Sequence, residues 1–159
     1  MKKIFFATVI LLTAITTNAQ TSGVKFGGGL NIGIPAHNLS GNSLGAGVDL
    51  MALYNLSNEF AITGDVGYTA LFGKNGSSTT NLIPLRAGLR YYPSNEFFFA
   101  GKIGAGFISN SGSSVTTTAY SFGLGYKIDP KLELGASYDG YIKEGTVALI
   151  NISLGYFFN

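Results

Sequence analysis

From residue 24 onward the chain alternates, and its charges respect the alternation. Set out as eight segments of period two, it places apolar side chains at every second position on one face. Every charge inside those segments lies on the other face. A period of two belongs to β-strands, and the segments are separated by clusters of Asn, Ser, Asp, Pro and Gly, which turn the chain. A soluble barrel buries its apolar face inward. Here the polar face carries nine charges, which is too many for an ordinary core. That arrangement suits a barrel standing in lipid, with apolar residues outward and a polar lumen.

The first strand is expected over 24–34, with Val24, Phe26, Leu30, Ile32 and Ile34 outward and Lys25 inward. A loop over 35–42 leads to a strand at 43–54, with Leu44, Val48, Leu50 and Tyr54 outward and Asp49 inward. After a turn at 55–58, strand 59–71 shows Phe60, Ile62, Val66 and Tyr68 outward and Asp65 inward. The polar stretch 72–81 reads as the longest loop. Strand 82–92 follows, with Ile83, Leu85, Leu89 and Tyr91 outward and Arg86 and Arg90 inward. Pro84 lacks a ladder donor and is expected near the loop-side end of that strand. Strand 96–109 carries Phe97, Phe99, Ile103 and Phe107 outward and Lys102 inward. Past a short loop at 110–114, strand 115–128 has Tyr120, Phe122, Leu124, Tyr126 and Ile128 outward and Lys127 inward. Strand 132–142 has Leu132, Leu134, Tyr138 and Ile142 outward and Glu133 and Asp139 inward. A turn at 143–145 leads to strand 146–158, with Ala148, Ile150, Ile152, Leu154, Tyr156 and Phe158 outward. The fold class is therefore all-β: an eight-stranded antiparallel up-and-down transmembrane barrel.

The first nineteen residues read as an address. Lys2 and Lys3 precede an apolar run at 4–15, and Thr17 and Ala19 are small residues before a cleavage point at Gln20. The run is too short to span a bilayer, so it is a signal peptide rather than an anchor. The domains expected are a signal peptide at 1–19 and a barrel at 20–159. Ten Lys and Arg stand against eight Asp and Glu; removing Lys2 and Lys3 leaves eight of each. A neutral chain without a basic patch argues against a nucleic-acid partner. The absence of cysteine excludes disulfides, thiol chemistry and lipid attachment at a lipoprotein-type cysteine.

Connection lengths are expected to orient the barrel, with tight turns on the periplasmic side, longer loops outside, and both termini in the periplasm. Outward Tyr54, Phe60, Tyr91, Phe97, Tyr126, Tyr156 and Phe158 form one interfacial belt, and Tyr68, Phe107 and Tyr120 the other.

These strands, belts and turns resemble the small OmpA/OmpX-type outer-membrane barrels of Gram-negative bacteria. The segment 151–159 looks like the aromatic-ended signal read by the barrel-assembly machinery, although Asn159 follows Phe158 where an aromatic would stand. The Ala19–Gln20 junction is similar to export signals of Bacteroidetes. The resemblance implies an outer-membrane location, lipid as surroundings, the assembly machinery as a partner during insertion, and a monomer.

Candidate chemistry is sparse. His37 is the single histidine, and Ser40 and Ser43 lie nearby, but a catalytic triad also needs an acid and the loop holds none. One histidine and no cysteine cannot close a zinc site. Runs such as Gly27–Gly29 and 101–106 lie inside alternating strands, not before helices, so they read as room for long lumen side chains rather than phosphate loops. Triplets such as Asn75-Gly76-Ser77 read as chance. The residues singled out are the inward charges: Lys25, Asp49, Asp65, Arg86, Arg90, Lys102, Lys127, Glu133 and Asp139. In a narrow lumen they are expected to pair, since an unpaired buried charge is costly. An arginine at inward Gly47 is expected to meet lumen space. The function expected is non-enzymatic, structural or surface-binding through the outer loops, without metal or cofactor. A narrow pore for ions or small solutes is the alternative, and a lipid-modifying enzyme the third reading.

Overall fold

The computed structural model describes residues 23–159; the signal-peptide reading at 1–19 lies outside them. Eight strands follow one another: β1 (Val24–His37), β2 (Asn42–Asn55), β3 (Phe60–Gly73), β4 (Thr80–Tyr91), β5 (Phe97–Asn110), β6 (Ser113–Lys127), β7 (Leu132–Ile142) and β8 (Thr146–Phe157). Each pairs antiparallel with its neighbour, and β8 pairs with β1 to close the barrel. Closure satisfies every strand edge, which hydrocarbon demands. No helix among the described residues is long and apolar enough to cross a membrane.

The outward parity is as the alternation requires. Leu30, Ile103 and Phe122 are 65 %, 64 % and 65 % exposed, and every strand contributes such residues. A soluble protein exposes large apolar side chains singly; a continuous apolar wall marks a lipid face. Aromatic rings gather where that wall meets one rim: Phe60 on Tyr91 at 5.2 Å and Tyr156 near Phe158 at 6.1 Å.

The strands run further than their hydrophobic pattern. The loop expected at 35–42 shrinks to 38–41, because β1 continues through Pro35 and His37 by a bulge against β8. A proline is tolerated at a bulge, where one ladder bond is already missing. The stretch 72–81 shrinks to 74–79, still the longest connection. Between β5 and β6 only 111–112 remains, where Ser111 (φ 48°) and Gly112 (φ 85°) both take the left-handed conformation of a two-residue hairpin turn. The expected contrast between long loops and tight turns thus narrows to 74–79 alone. Pro84 sits inside β4, paired with Gly106 of β5. On its other side the β3–β4 ladder lapses between Val66–Leu85 and Thr69–Leu82 and resumes in the same register.

At the β1–β8 seam, Asn159 acts beyond the strand. Its Oδ1 accepts from the Phe26 amide at 2.9 Å, and its Nδ2 donates to the Val24 carbonyl at 3.0 Å. The side-chain amide thereby stands in for a peptide group and extends the ladder one step past Phe157. Ala148 shares the outward parity but is fully covered rather than exposed. It pairs with Gly140, over which the Tyr120 ring lies.

Candidate functional site

The alternation predicts a packed polar lumen; the structure adds apolar clusters to it. The lumen is layered. Near connections 38–41, 74–79 and 143–145 an apolar cluster holds Leu71, Leu82, Ala119, Tyr141 and Leu149, with Leu39 folded in from the connection above. At the opposite end Leu53, Ala61, Tyr92, Phe98 and Phe157 form a second cluster. These residues have inward parity, and their apolar character was legible, but alternation alone gives no reason for apolar residues on a polar face. They pack across the bore near its two ends.

Between the two clusters lies the charged layer. Arg86, inward on β4, sits at its centre. Its Nε and Nη2 donate to Asp65 Oδ1 and Oδ2 at 2.9 and 3.1 Å, and Nη1 lies 3.1 Å from Asp139 Oδ2. Lys102 on β5 also pairs with Asp65. Ser121 and Ser137 hydroxyls donate to Asp139 Oδ1 at 2.6 and 2.9 Å. One turn-side level away, Arg90 makes a fork with Glu133: Nη1 to Oε2 at 2.7 Å and Nη2 to Oε1 at 2.9 Å. Two parallel bonds fix the geometry as well as the charge. The same guanidinium lies 4.3 Å over the Phe98 ring.

The remaining three of the nine stand apart from these ion pairs. Asp49 accepts from Asn31 Nδ2 at 2.7 Å, and Asn31 in turn accepts from Thr69 at 3.0 Å. Asp49 lies over Gly67, where any Cβ would collide with its carboxylate. Lys127 places its ammonium 3.9 Å over the Tyr92 ring rather than on a carboxylate. Tyr92 lies beyond β4, and burial raises its phenol above the usual range despite nearby Arg90, so the ring meets Lys127 as a neutral π face. Lys25 forms no ion pair among the described residues. The lumen space expected at Gly47 is absent: a Cβ there would overlap Asn31, Thr69 and the Tyr68 carbonyl.

A cavity of about 70 Å³ lies in the charged layer, bordered by Asp49, Asp65, Arg86, Arg90, Lys102 and Glu133. A cavity of that size holds a few waters. His37 stands elsewhere, exposed at the end of β1 beside a surface cleft that also borders Ser40, Ser43 and Lys74 and has no carboxylate in its lining. Among the described residues no three His, Cys, Asp or Glu side chains gather as a metal site.

A closed eight-stranded barrel with this lipid face is matched by the sequence profile of the outer membrane protein beta-barrel domain, over residues 4–158. The chain belongs to that family. It is an integral outer-membrane β-barrel protein. Among solved structures it is similar to Ail, the attachment invasion locus protein of Yersinia pestis, at 21 % identity and a TM-score of 0.62, over 87 % of this chain and 100 % of Ail. It is similar to Neisserial surface protein A at 17 % identity and a TM-score of 0.62, over 86 % and 96 % of the two chains. The N-terminal β-barrel domain of Pseudomonas aeruginosa OprF matches at 16 % identity and a TM-score of 0.64, over 86 % and 100 %. At these identities the likeness is one of fold, that of the small OmpA/OmpX-type barrels. Among curated proteins nothing matches the sequence.

Proposed function

We propose that this barrel is a non-enzymatic, non-conducting outer-membrane protein that acts through its frame and its outer rim. The observation that carries the reading is the layered lumen: two apolar clusters flank an ion-paired layer that holds a cavity of about 70 Å³. A solute pore needs an open bore, and an eight-stranded barrel has little space to spare. The isolated His37, with no carboxylate in the lining of its cleft, supports the non-enzymatic part of the reading.

Both termini belong in the periplasm on this reading, and the longest connection, 74–79, faces outward. Charge supports the same orientation. The connections at that end carry Lys74, Lys143 and Glu144, whereas those at the other carry Glu59, Glu96, Asp129 and Lys131. These connections sum to +1 at that end and −2 at the other, and the more positive end suits a phosphate-bearing lipid surface. The protein is a monomer in lipid, is inserted by the barrel-assembly machinery, and offers 38–41 and 74–79 to any surface partner, since a rigid scaffold concentrates binding in its loops.

Planar-bilayer recording on the refolded protein tests the closed lumen. No steady conductance is expected; reproducible single-channel steps would promote the pore reading in its place.

A further inference from the structure

A cleft of about 440 Å³ opens on the barrel's flank at the end that carries 38–41 and 74–79. Its lower wall is Ile34 of β1 and Leu44 of β2, both outward and 37 % and 55 % exposed. They are the last large apolar residues of the lipid face on their strands. Its upper wall is polar, with His37, Ser40 and Lys74. The walls are held in place. Leu39 folds into the lumen cluster, Asn38 Nδ2 donates to the Thr146 carbonyl at 2.8 Å, and the Lys74 amide donates to the Gly41 carbonyl at 2.8 Å. Connection 38–41 therefore leans over the bore and leaves the hollow on its lipid side.

Two further facts select the occupant. Lys74 forms no ion pair among the described residues, and no Asp or Glu borders the cleft. The cleft borders the hydrocarbon-facing wall at Ile34 and Leu44 and is also lined by a lysine without an ion-pair partner among the described residues. A molecule that presents an acyl chain and an anion within the same reach is a membrane lipid with a phosphate headgroup. Resting on the membrane reading above, we propose that this cleft binds one such lipid, with a chain along Ile34 and Leu44 and its phosphate at Lys74 Nζ, flanked by Ser40 and His37. The chain contributes by burial and the ammonium by a charge-assisted hydrogen bond at the bilayer surface.

The test is lipid retention. The protein is refolded in phosphatidylcholine vesicles containing a minority of phosphatidic acid, extracted in mild detergent, and weighed by native mass spectrometry. Both leaflets offer the same lipids, so the result does not depend on orientation. Wild type should keep one phosphatidic acid in preference to phosphatidylcholine. Lys74→Gln should lower that preference about fivefold, the worth of one lysine at an anionic surface. Lys74→Arg should preserve it, Leu44→Ser should weaken it, and Lys143→Gln should leave it unchanged. Equal retention of both lipids by wild type would overturn the proposal. So would an equal loss in Lys143→Gln, which would make the effect diffuse charge, or release of the lipid by an equal concentration of soluble glycerol phosphate, which would make it a headgroup site without a chain. A gel shift on boiling checks the folding of each variant. Its absence in wild type would fail the barrel reading itself, not the cleft.

Discussion

On one side of β2 stand Leu44, Ala46, Val48, Leu50, Ala52 and Tyr54; on the other stand Gly45, Gly47, Asp49, Met51 and Leu53. The first set meets one medium. Each residue satisfies it alone, whatever its neighbours are, and the result is a regular stripe. The second set meets five different surroundings: the Leu71 side chain, the Asn31–Thr69 pair, the charged layer, the glycines of β1, and the cluster of Tyr92 and Phe98. Inside the bore a residue is chosen by what lies across from it, on strands far away in sequence. One wall is a solvation pattern, the other a packing problem.

The sharpest break between the two comes from removing half of an internal pair. Glu133→Ala leaves Arg90 buried without its carboxylate, and it should cost about 3–5 kcal/mol. The double variant Arg90→Met with Glu133→Leu should recover most of that loss, because paired removal leaves no orphan charge. Urea titration in lipid vesicles measures both. A Glu133→Ala variant as stable as wild type would mean that the fork is not closed in the membrane.

On the outer wall the corresponding break is Leu50→Arg. Leu50 is 58 % exposed toward lipid between Gly28 and Val66. A guanidinium there should cost about 2–4 kcal/mol at the midplane, read by the same titration. Unchanged stability would reverse the assigned parity of β2.

How much of this was open to inspection of the sequence follows from the same contrast. The strand count, the order, the parity of all nine inward charges and the identity of the lipid face all depend on solvation, and period two reports solvation. Strand ends do not. At Gly73, at Thr80 and at Ser113–Ser114 the hydrogen-bond ladder continues after the apolar stripe stops, since backbone pairing outlasts contact with hydrocarbon. The loops expected at 35–42 and 72–81 are shorter in the structure, at 38–41 and 74–79. Partner choice was closed as well. Arg90 and Glu133 lie on β4 and β7, 43 residues apart, and nothing in either strand names the other. The two apolar clusters are not legible in the alternation, because Leu71, Leu82 and Leu149 in one and Leu53, Phe98 and Phe157 in the other interrupt a face that otherwise looks polar.

Glycines sharpen the comparison at a smaller scale. At inward Gly47 an added methyl overlaps Asn31, Thr69 and a backbone carbonyl, so Gly47→Ala should cost about 1–3 kcal/mol as overpacking. At outward Gly28 the nearest atoms are the Phe158 ring at 3.4 Å and the Asp49 carbonyl at 3.5 Å. Gly28→Ala should change stability by no more than about 0.5 kcal/mol, as for a surface position. Equal costs at the two glycines would mean that the interior is looser than its packing indicates.

The smallest effect belongs to the seam, where neither wall decides. Asn159 holds β1 through two hydrogen bonds at an exposed rim, to Phe26 and Val24. In water such bonds exchange with solvent, so Asn159→Ala should lower global stability by only about 0.5 kcal/mol. Its local effect should be larger. With the side-chain amide gone, the Phe26 amide loses its acceptor while the Phe158 amide still donates to the Phe26 carbonyl at 2.8 Å. Hydrogen exchange should therefore speed up at Phe26 and stay unchanged at amides on β4 and β5, on the far side of the barrel. Asn159→Asp keeps the acceptor and loses the donor, so it should protect Phe26 while freeing the Val24 carbonyl. If Phe26 exchanges equally fast in wild type and Asn159→Ala, the amide is not serving as the last rung of the seam, and β8 ends at Phe157.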